Sequence, residues 1–184
     1  EQVLNEDEIS SLFYQKCIDL IIPLKEELLN RFTDYLKLKC VNRVIDLTDC
    51  KLGLNSMVVL SEIIKRNENK YSRLILSKNN FGDKGLELLL DSIQDNNGIV
   101  ELNLSSNNIT AKGGKMLFSY LLNQTSIISL DISSQEGINR NRICCEGVKR
   151  IENVLKTNFF IENLDLSSNS IKTEGFKYLV NNRR

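Results

Sequence analysis

Apolar residues recur along the chain in two alternating rhythms, one of period two over three residues and one of period three to four over about ten. The first rhythm gives Ile45 and Leu47, Leu74 and Leu76, Leu102 and Leu104, Leu130 and Ile132, and Leu164 and Leu166. With residues such as Asp46, Asn103, Asp131 and Asp165 between them, these pairs predict short strands with one apolar face. A polar turn follows each strand and closes on Cys50-Lys-Leu52, Asn79-Asn-Phe81, Asn107-Asn-Ile109, Asn141-Arg-Ile143 and Asn169-Ser-Ile171. The second rhythm then gives Met57, Leu60 and Ile64; Leu86, Leu89, Leu90 and Ile93; Leu117, Phe118 and Leu121; and Val148, Ile151 and Leu155, where Glu152 interrupts the stripe. Each predicts an amphipathic helix.

The repetition is regular. Leu47, Leu76, Leu104, Ile132 and Leu166 lie 29, 28, 28 and 34 residues apart. The long interval contains six extra residues, Gln135 to Arg140, and without them the spacing returns to 28. A second column, Gly85, Gly113, Gly147 and Gly175, stands six residues after each repeat Asn, with Ser56 in the first place. A strand and a helix of this size cannot bury their stripes alone, so each unit must stack on its neighbours. The column Cys50, Asn79, Asn107, Asn141 and Asn169 reads as a structural ladder, because an amide that donates and accepts satisfies main-chain groups between strand and helix. The glycines fit positions of close backbone approach or positive φ. Asn67, Asn96, Asn123 and Asn158 near the helix ends fit left-handed caps.

The signature L-x-L-x-x-N/C-x-Φ (Φ apolar) at this period resembles the leucine-rich repeats of the ribonuclease-inhibitor type, from Val44 to Leu179. The resemblance implies an α/β fold: a leucine-rich repeat solenoid, a horseshoe segment with parallel strands on the concave face and helices on the convex face. Residues 1–42 are expected to form an N-terminal helical cap, and residues 43–184 about five repeats, the last truncated. Ile9, Leu12, Phe13 and Cys17 make one helical stripe of the cap, and Leu24, Leu28, Leu29, Phe32 and Leu36 another, with Pro23 in a first helical turn. A degenerate earlier repeat is the alternative for this segment. The last helix, Thr173 to Val180, leaves Phe176, Leu179 and Val180 incompletely covered. Further repeats, or another chain, are expected to cover them, and the first residue being Glu1 rather than Met fits a fragment.

Composition removes several classes of activity. The 184 residues carry 24 Lys and Arg against 24 Asp and Glu, which argues against nucleic-acid binding through bulk charge. There is no His, so imidazole bases and His-containing metal sites are excluded. Cys17, Cys40, Cys50, Cys144 and Cys145 show no C-x-x-C spacing and read as reduced thiols, mostly small core residues. Apolar stretches are too short to span a bilayer, and the acidic start is wrong for a signal peptide. Gly113-Gly114 lacks the rest of a phosphate loop, and no base stands by to activate Ser105-Ser106, Ser133-Ser134 or Ser167-Ser168. No cofactor and no catalysis are expected.

Two surfaces remain as candidates. Asp46, Arg73, Glu101, Asp131 and Asp165 fall on the outward strand positions, a mildly acidic concave face, although Asp is also a consensus residue there. The insert and the residue beside it bring Arg140 and Arg142 to the strand-end edge, where guanidinium groups suit carboxylates or phosphates; a neutral insertion packed on its neighbour is the alternative. The expected function is a non-enzymatic protein–protein interaction scaffold in the cytoplasm, using the concave face and strand-end loops. A protein partner is expected, and neither nucleic acid, membrane nor small molecule. The repeats also resemble those of Ran-directed GTPase-activating proteins and of tropomodulin-like actin-end cappers, the latter implying a cytoskeletal association.

Overall fold

A computed structural model describes residues 2–135, 137 and 139–180; Glu136 and Ile138 of the insert lie outside the described residues. Two helices open the chain, α1 (Glu6–Leu20) and α2 (Glu26–Lys39). Five strands follow: β1 (Val44–Asp46), β2 (Arg73–Ile75), β3 (Glu101–Asn103), β4 (Ser129–Asp131) and β5 (Asn163–Asp165). Between and after them run α3 (Leu54–Arg66), α4 (Gly82–Ser92), α5 (Ala111–Leu121), α6 (Cys144–Gly147), α7 (Ile151–Thr157) and α8 (Thr173–Val180). A 3₁₀ turn, Val148–Arg150, joins α6 to α7 in the repeat whose stripe Glu152 interrupts. The strands form one parallel sheet in chain order, pairing Ile45, Leu74, Leu102, Leu130 and Leu164 in a single row. This is the α/β solenoid that the resemblance implies.

One continuous apolar interior runs between sheet and helices. Its columns are fully buried through the middle of the stack: Leu76, Leu104 and Ile132 are each 0% exposed, as are Leu89, Leu117 and Ile151. Burial of a side chain of this size stabilises by about 1.5–3 kcal/mol, so the columns dominate the cohesion of neighbouring coils.

The Asn ladder links coils rather than only closing turns. Nδ2 of Asn79, Asn107, Asn141 and Asn169 donates to the carbonyls of Leu47, Leu76, Leu104 and Ile132, each in the preceding coil, at 3.0, 2.9, 3.0 and 2.7 Å. Oδ1 of Asn79, Asn141 and Asn169 accepts from Leu52, Ile109 and Ile143 N–H, again one coil back. Asn107 breaks the rule, for its buried Oδ1 has no partner among the described residues. Cys50 holds the first place because no described coil precedes it to receive an amide; its Sγ lies 3.7 Å from the Thr48 carbonyl.

Two local expectations need correction, and a third is narrowed to one of its alternatives. Asn67, Asn96, Asn123 and Asn158 are not left-handed: Asn67 has φ −114° and Asn158 φ −90°, and none is among the positive-φ residues. The side chains of three of them serve instead, as where Asn158 Nδ2 donates to Leu121 and Gln124 carbonyls, both at 2.8 Å. The Gly column answers to close packing alone. A Cβ on Gly147 would stand 2.6 Å from Ile143 Cγ2 and 3.1 Å from Ala111 Cα. Pro23 precedes α2 by three residues instead of lying in its first turn.

The N-terminal segment seals the first coil. α1 packs along α3 as α3 packs along α4. Phe13 and Phe32 meet at 5.5 Å between ring centroids. Asp19 of α1 caps α3, whose N-cap residue Gly53 has no side chain to do so. Its carboxylate accepts from Gly53, Asn55 and Ser56 N–H at 2.9, 3.0 and 3.0 Å and from Ser56 Oγ at 2.6 Å. Partial burial pushes the Asp19 pKa up, but these hydrogen bonds outweigh it and hold the group below its ordinary value. The only pairing of the preceding chain is an antiparallel bridge, Gln2 to Val41, so among the described residues no earlier parallel strand lies beside β1.

Candidate functional site: the concave face and strand-end loops

Strand register divides the outward residues into two rows. Val44, Arg73, Glu101, Ser129 and Asn163 form one; Asp46, Ile75, Asn103, Asp131 and Asp165 form the other. The five residues expected on this face are all there, but they do not act as one group.

Toward the N-terminal end the charges cancel. Arg73 donates from Nε and Nη2 to the two oxygens of Glu101, at 2.5 and 3.2 Å, and this raises the arginine pKa further. Lys39 reaches Asp46 Oδ2 at 3.3 Å. Burial pushes Asp46 up, yet the bonds from Thr48 and Lys39 prevail and keep it lowered.

Toward the C-terminal end they do not cancel. Asp131 and Asp165 are register partners on adjacent strands, and Glu162 stands just before β5. With Glu101 they line a trough of about 580 Å3 that also presents Asn103, Ser129 and Asn163. Among the described residues no Lys or Arg pairs with Asp131, Glu162 or Asp165. Each Asp also braces its own turn. Oδ1 of Asp46, Asp131 and Asp165 accepts from the N–H two residues on, at 3.1, 2.8 and 2.8 Å, as does Oδ1 of Asn103. The consensus role and the exposed charge coexist at Asp165, whose second oxygen has no partner among the described residues, whereas Oδ2 of Asp131 accepts from Asn103 Nδ2 at 3.0 Å.

Glu162 is absent from the sequence-based candidates. Little in the sequence signals it: the equivalent residues of the preceding coils are Arg43, Ser72, Val100 and Ile128, a mixed column in which a charge does not stand out.

At the strand-end edge the described part of the insert bridges coils in both directions. Asn139 Nδ2 donates to the Asn79 carbonyl, 60 positions away, at 2.7 Å, and Asn139 O accepts from Asn108 N–H at 2.8 Å. Gln135 N–H donates to Ser106 Oγ at 2.8 Å. Arg140 reaches forward to the Ser168 carbonyl at 3.4 Å, while Arg142 forms a backbone bridge with Thr110 and leaves its side chain exposed. The insert is thus packed on its neighbours and still presents Arg140 and Arg142 outward.

Among the described residues there is no group of His, Cys, Asp and Glu able to hold a metal ion, and no helix is long and apolar enough to cross a membrane. All five cysteines are free thiols, three of them buried.

A parallel stack of strand–turn–helix coils joined by an amide ladder defines a solenoid repeat protein. The profile of the leucine-rich repeat family matches residues 72–90, 95–118 and 157–180, and the chain is a leucine-rich repeat protein of the ribonuclease-inhibitor-like type. Among solved structures it is similar to leiomodin-1 actin-binding site 2, at 20% identity and a TM-score of 0.61, over 76% of this chain and 77% of that one. A comparison with curated proteins finds no match.

Proposed function

We propose that the chain is a non-enzymatic protein-binding scaffold whose concave face takes a basic segment of a partner. The observation that carries this reading is the unequal charge along the sheet. Lys39–Asp46 and Arg73–Glu101 neutralise one half, whereas among the described residues no cation neutralises Asp131, Glu162 or Asp165 in the other, where Asp131 is braced only by Asn103 and Ser133. Exposed carboxylates are cheap to keep solvated, and they attract Lys and Arg with a strength that falls with salt. Arg140 and Arg142 at the neighbouring edge add a second, opposite charge that orients the partner.

The test is titration of a Lys/Arg-rich peptide against the chain and its variants. Glu162→Gln combined with Asp165→Asn is expected to weaken binding about tenfold at low salt. Lys115→Ala, on the convex side in an ion pair with Glu146, is expected to leave it unchanged. Equal loss in both variants contradicts the assignment of the face.

Actin is a second partner reading, favoured by the fold shared with leiomodin-1 actin-binding site 2. Co-sedimentation with filaments, and gel filtration with monomeric actin, test it. Binding that survives neutralisation of the trough would place actin on another surface.

A further inference from the structure

The loops that return from a helix to the next strand are polar at their outward positions until the last one. The two residues before the inward-facing Tyr71, Ile99, Ile127 and Ile161 are Asn69-Lys70, Asn97-Gly98, Thr125-Ser126 and Phe159-Phe160. Exposure belongs to the position. Asn69, Asn97 and Thr125 are exposed, and Lys70, Gly98 and Ser126 exposed or half-buried, although each lies in a coil with a neighbour on either side. A neighbouring coil therefore does not cover this place, and the repeat is satisfied there by Thr and Ser. Phe159 and Phe160 are 69% and 48% exposed at positions where the fold asks for no aromatic ring.

The ledge adjoins the acidic trough. Ile128 is 39% exposed in the fourth coil, inside the stack, and its carbonyl accepts from Glu162 and Asn163 N–H at 2.9 and 3.1 Å. Ile128 and Glu162 immediately precede Ser129 and Asn163, which line the trough. Phe160 stands two residues before Glu162, at most about 7 Å of chain. The loop is held in place. Asn158 Oδ1 accepts from Phe160 and Ile161 N–H at 3.0 and 3.3 Å, while its Nδ2 is anchored on two carbonyls of the preceding coil.

We propose that Phe160 and Ile128 form an apolar ledge at the strand-start end of the trough, and that the partner segment carries a bulky apolar side chain at one end of its Lys/Arg run. This rests on the reading of the trough as a site for a basic segment and adds a selectivity determinant to it. The charge of Glu162 and Asp165 names the basic part of the occupant. The exposed ring and the isoleucine beside the same Glu162 name the apolar part, since apolar surface of this kind on a soluble chain marks an interaction site. From Phe160 to Asp165 is five residues, so about six residues of extended chain span ledge and trough together.

The two parts obey different laws, and this makes them separable. Attraction to the carboxylates is screened by salt, whereas burial of an apolar side chain is not. A purely basic segment would bind through the trough alone and lose its affinity in salt. A segment with an apolar end keeps a fixed advantage over it at every ionic strength.

The experiment is a fluorescence-anisotropy titration of the chain with three labelled peptides: Lys-Arg-Lys-Arg-Leu-Leu, Leu-Leu-Lys-Arg-Lys-Arg, and Lys-Arg-Lys-Arg-Ser-Ser as control. Each is measured at about 20 mM and about 300 mM salt. The better of the two Leu peptides is expected to bind about tenfold more tightly than the control at both salts. Phe159→Thr combined with Phe160→Ser, which gives this loop the residues that the preceding coil has at Thr125 and Ser126, is expected to remove that advantage and leave the control peptide unaffected. Glu162→Gln combined with Asp165→Asn is expected to weaken all three peptides at low salt and keep the ratio between them. Salt-dependent binding with no Leu advantage, or an advantage that survives loss of both rings, overturns the ledge and leaves the trough standing. A Leu advantage without salt dependence overturns the trough, and the joint site with it. Absence of binding by every peptide overturns both.

Discussion

The first and fifth coils carry the same sequence pattern and meet opposite fates. Ile45 and Leu47 in the first are fully buried, whereas Leu164 and Leu166 in the fifth are only partly covered. The difference lies outside both coils. α1 and α2 supply the first with a packing surface, an aromatic pair and a carboxylate on the start of α3. The fifth has no described neighbour on its far side. Burial in a solenoid is a property of the stack rather than of the coil, so identical residues differ in worth according to position.

That difference gives its largest effect in the core. Leu104→Ala, in the middle of the stack, is expected to cost about 2–5 kcal/mol in urea unfolding, and Leu166→Ala roughly half as much or less. Equal costs would mean that the last coil is covered after all.

The ladder sharpens the comparison. Asn141 touches five backbone groups: the N–H of Asn107 and Ile109 and the carbonyls of Leu104, Ile132 and Ser133. Asn141→Ala is expected to lower stability by about 1–3 kcal/mol, through groups left buried without partners. Asn169→Ala is expected to cost less, because solvent replaces partners more readily at the open end. Thermal denaturation of the two variants side by side decides it.

Asp19 tests the sealed end. Asp19→Asn is expected to reduce stability by about 1–2 kcal/mol near neutral pH, the worth of a strong cap. The folded pKa of Asp19 lies below its unfolded value, so its contribution is present above the usual carboxylate value of about 4 and fades as pH falls through the folded pKa. The gap between the chain and the variant should therefore close in acid. A gap constant from neutral pH to pH about 2 would refute the cap.

The smallest effect is chemical. Burial pushes the Cys40 thiol up to about 11 and Cys50 up to about 12, whereas Cys144 and Cys145 are partly exposed. Brief alkylation near pH 8 is expected to label Cys144 and Cys145 and spare Cys40 and Cys50, read by peptide mass spectrometry.

Much of this architecture is legible in the sequence because each coil repeats the same local physics. Period-two and period-four stripes locate strands and helices, and the 34-residue interval locates the insert. Contacts between coils are less legible. The Asp19 cap joins residues 34 to 37 positions apart from a segment outside the repeat, so no column announces it. Asn139 reaches two coils back because stacking brings their loops together, which spacing alone does not specify. The candidate face was readable as a set of outward positions. Its division into a neutralised and an open half depends on which side chains reach each other: Arg73 finds Glu101, and Lys39 finds Asp46. The helix-end asparagines show the converse, since residues suited to a left-handed cap use their amides instead.

Native-state hydrogen exchange at the forward-donating amides tests most directly whether each coil is completed by the next. Leu47, Leu76, Leu104 and Ile132 are expected to exchange slowly, and Leu166 and Ser168 near the rate of an unstructured chain. Protection of Leu166 equal to that of Leu104 in the isolated monomer would contradict the account.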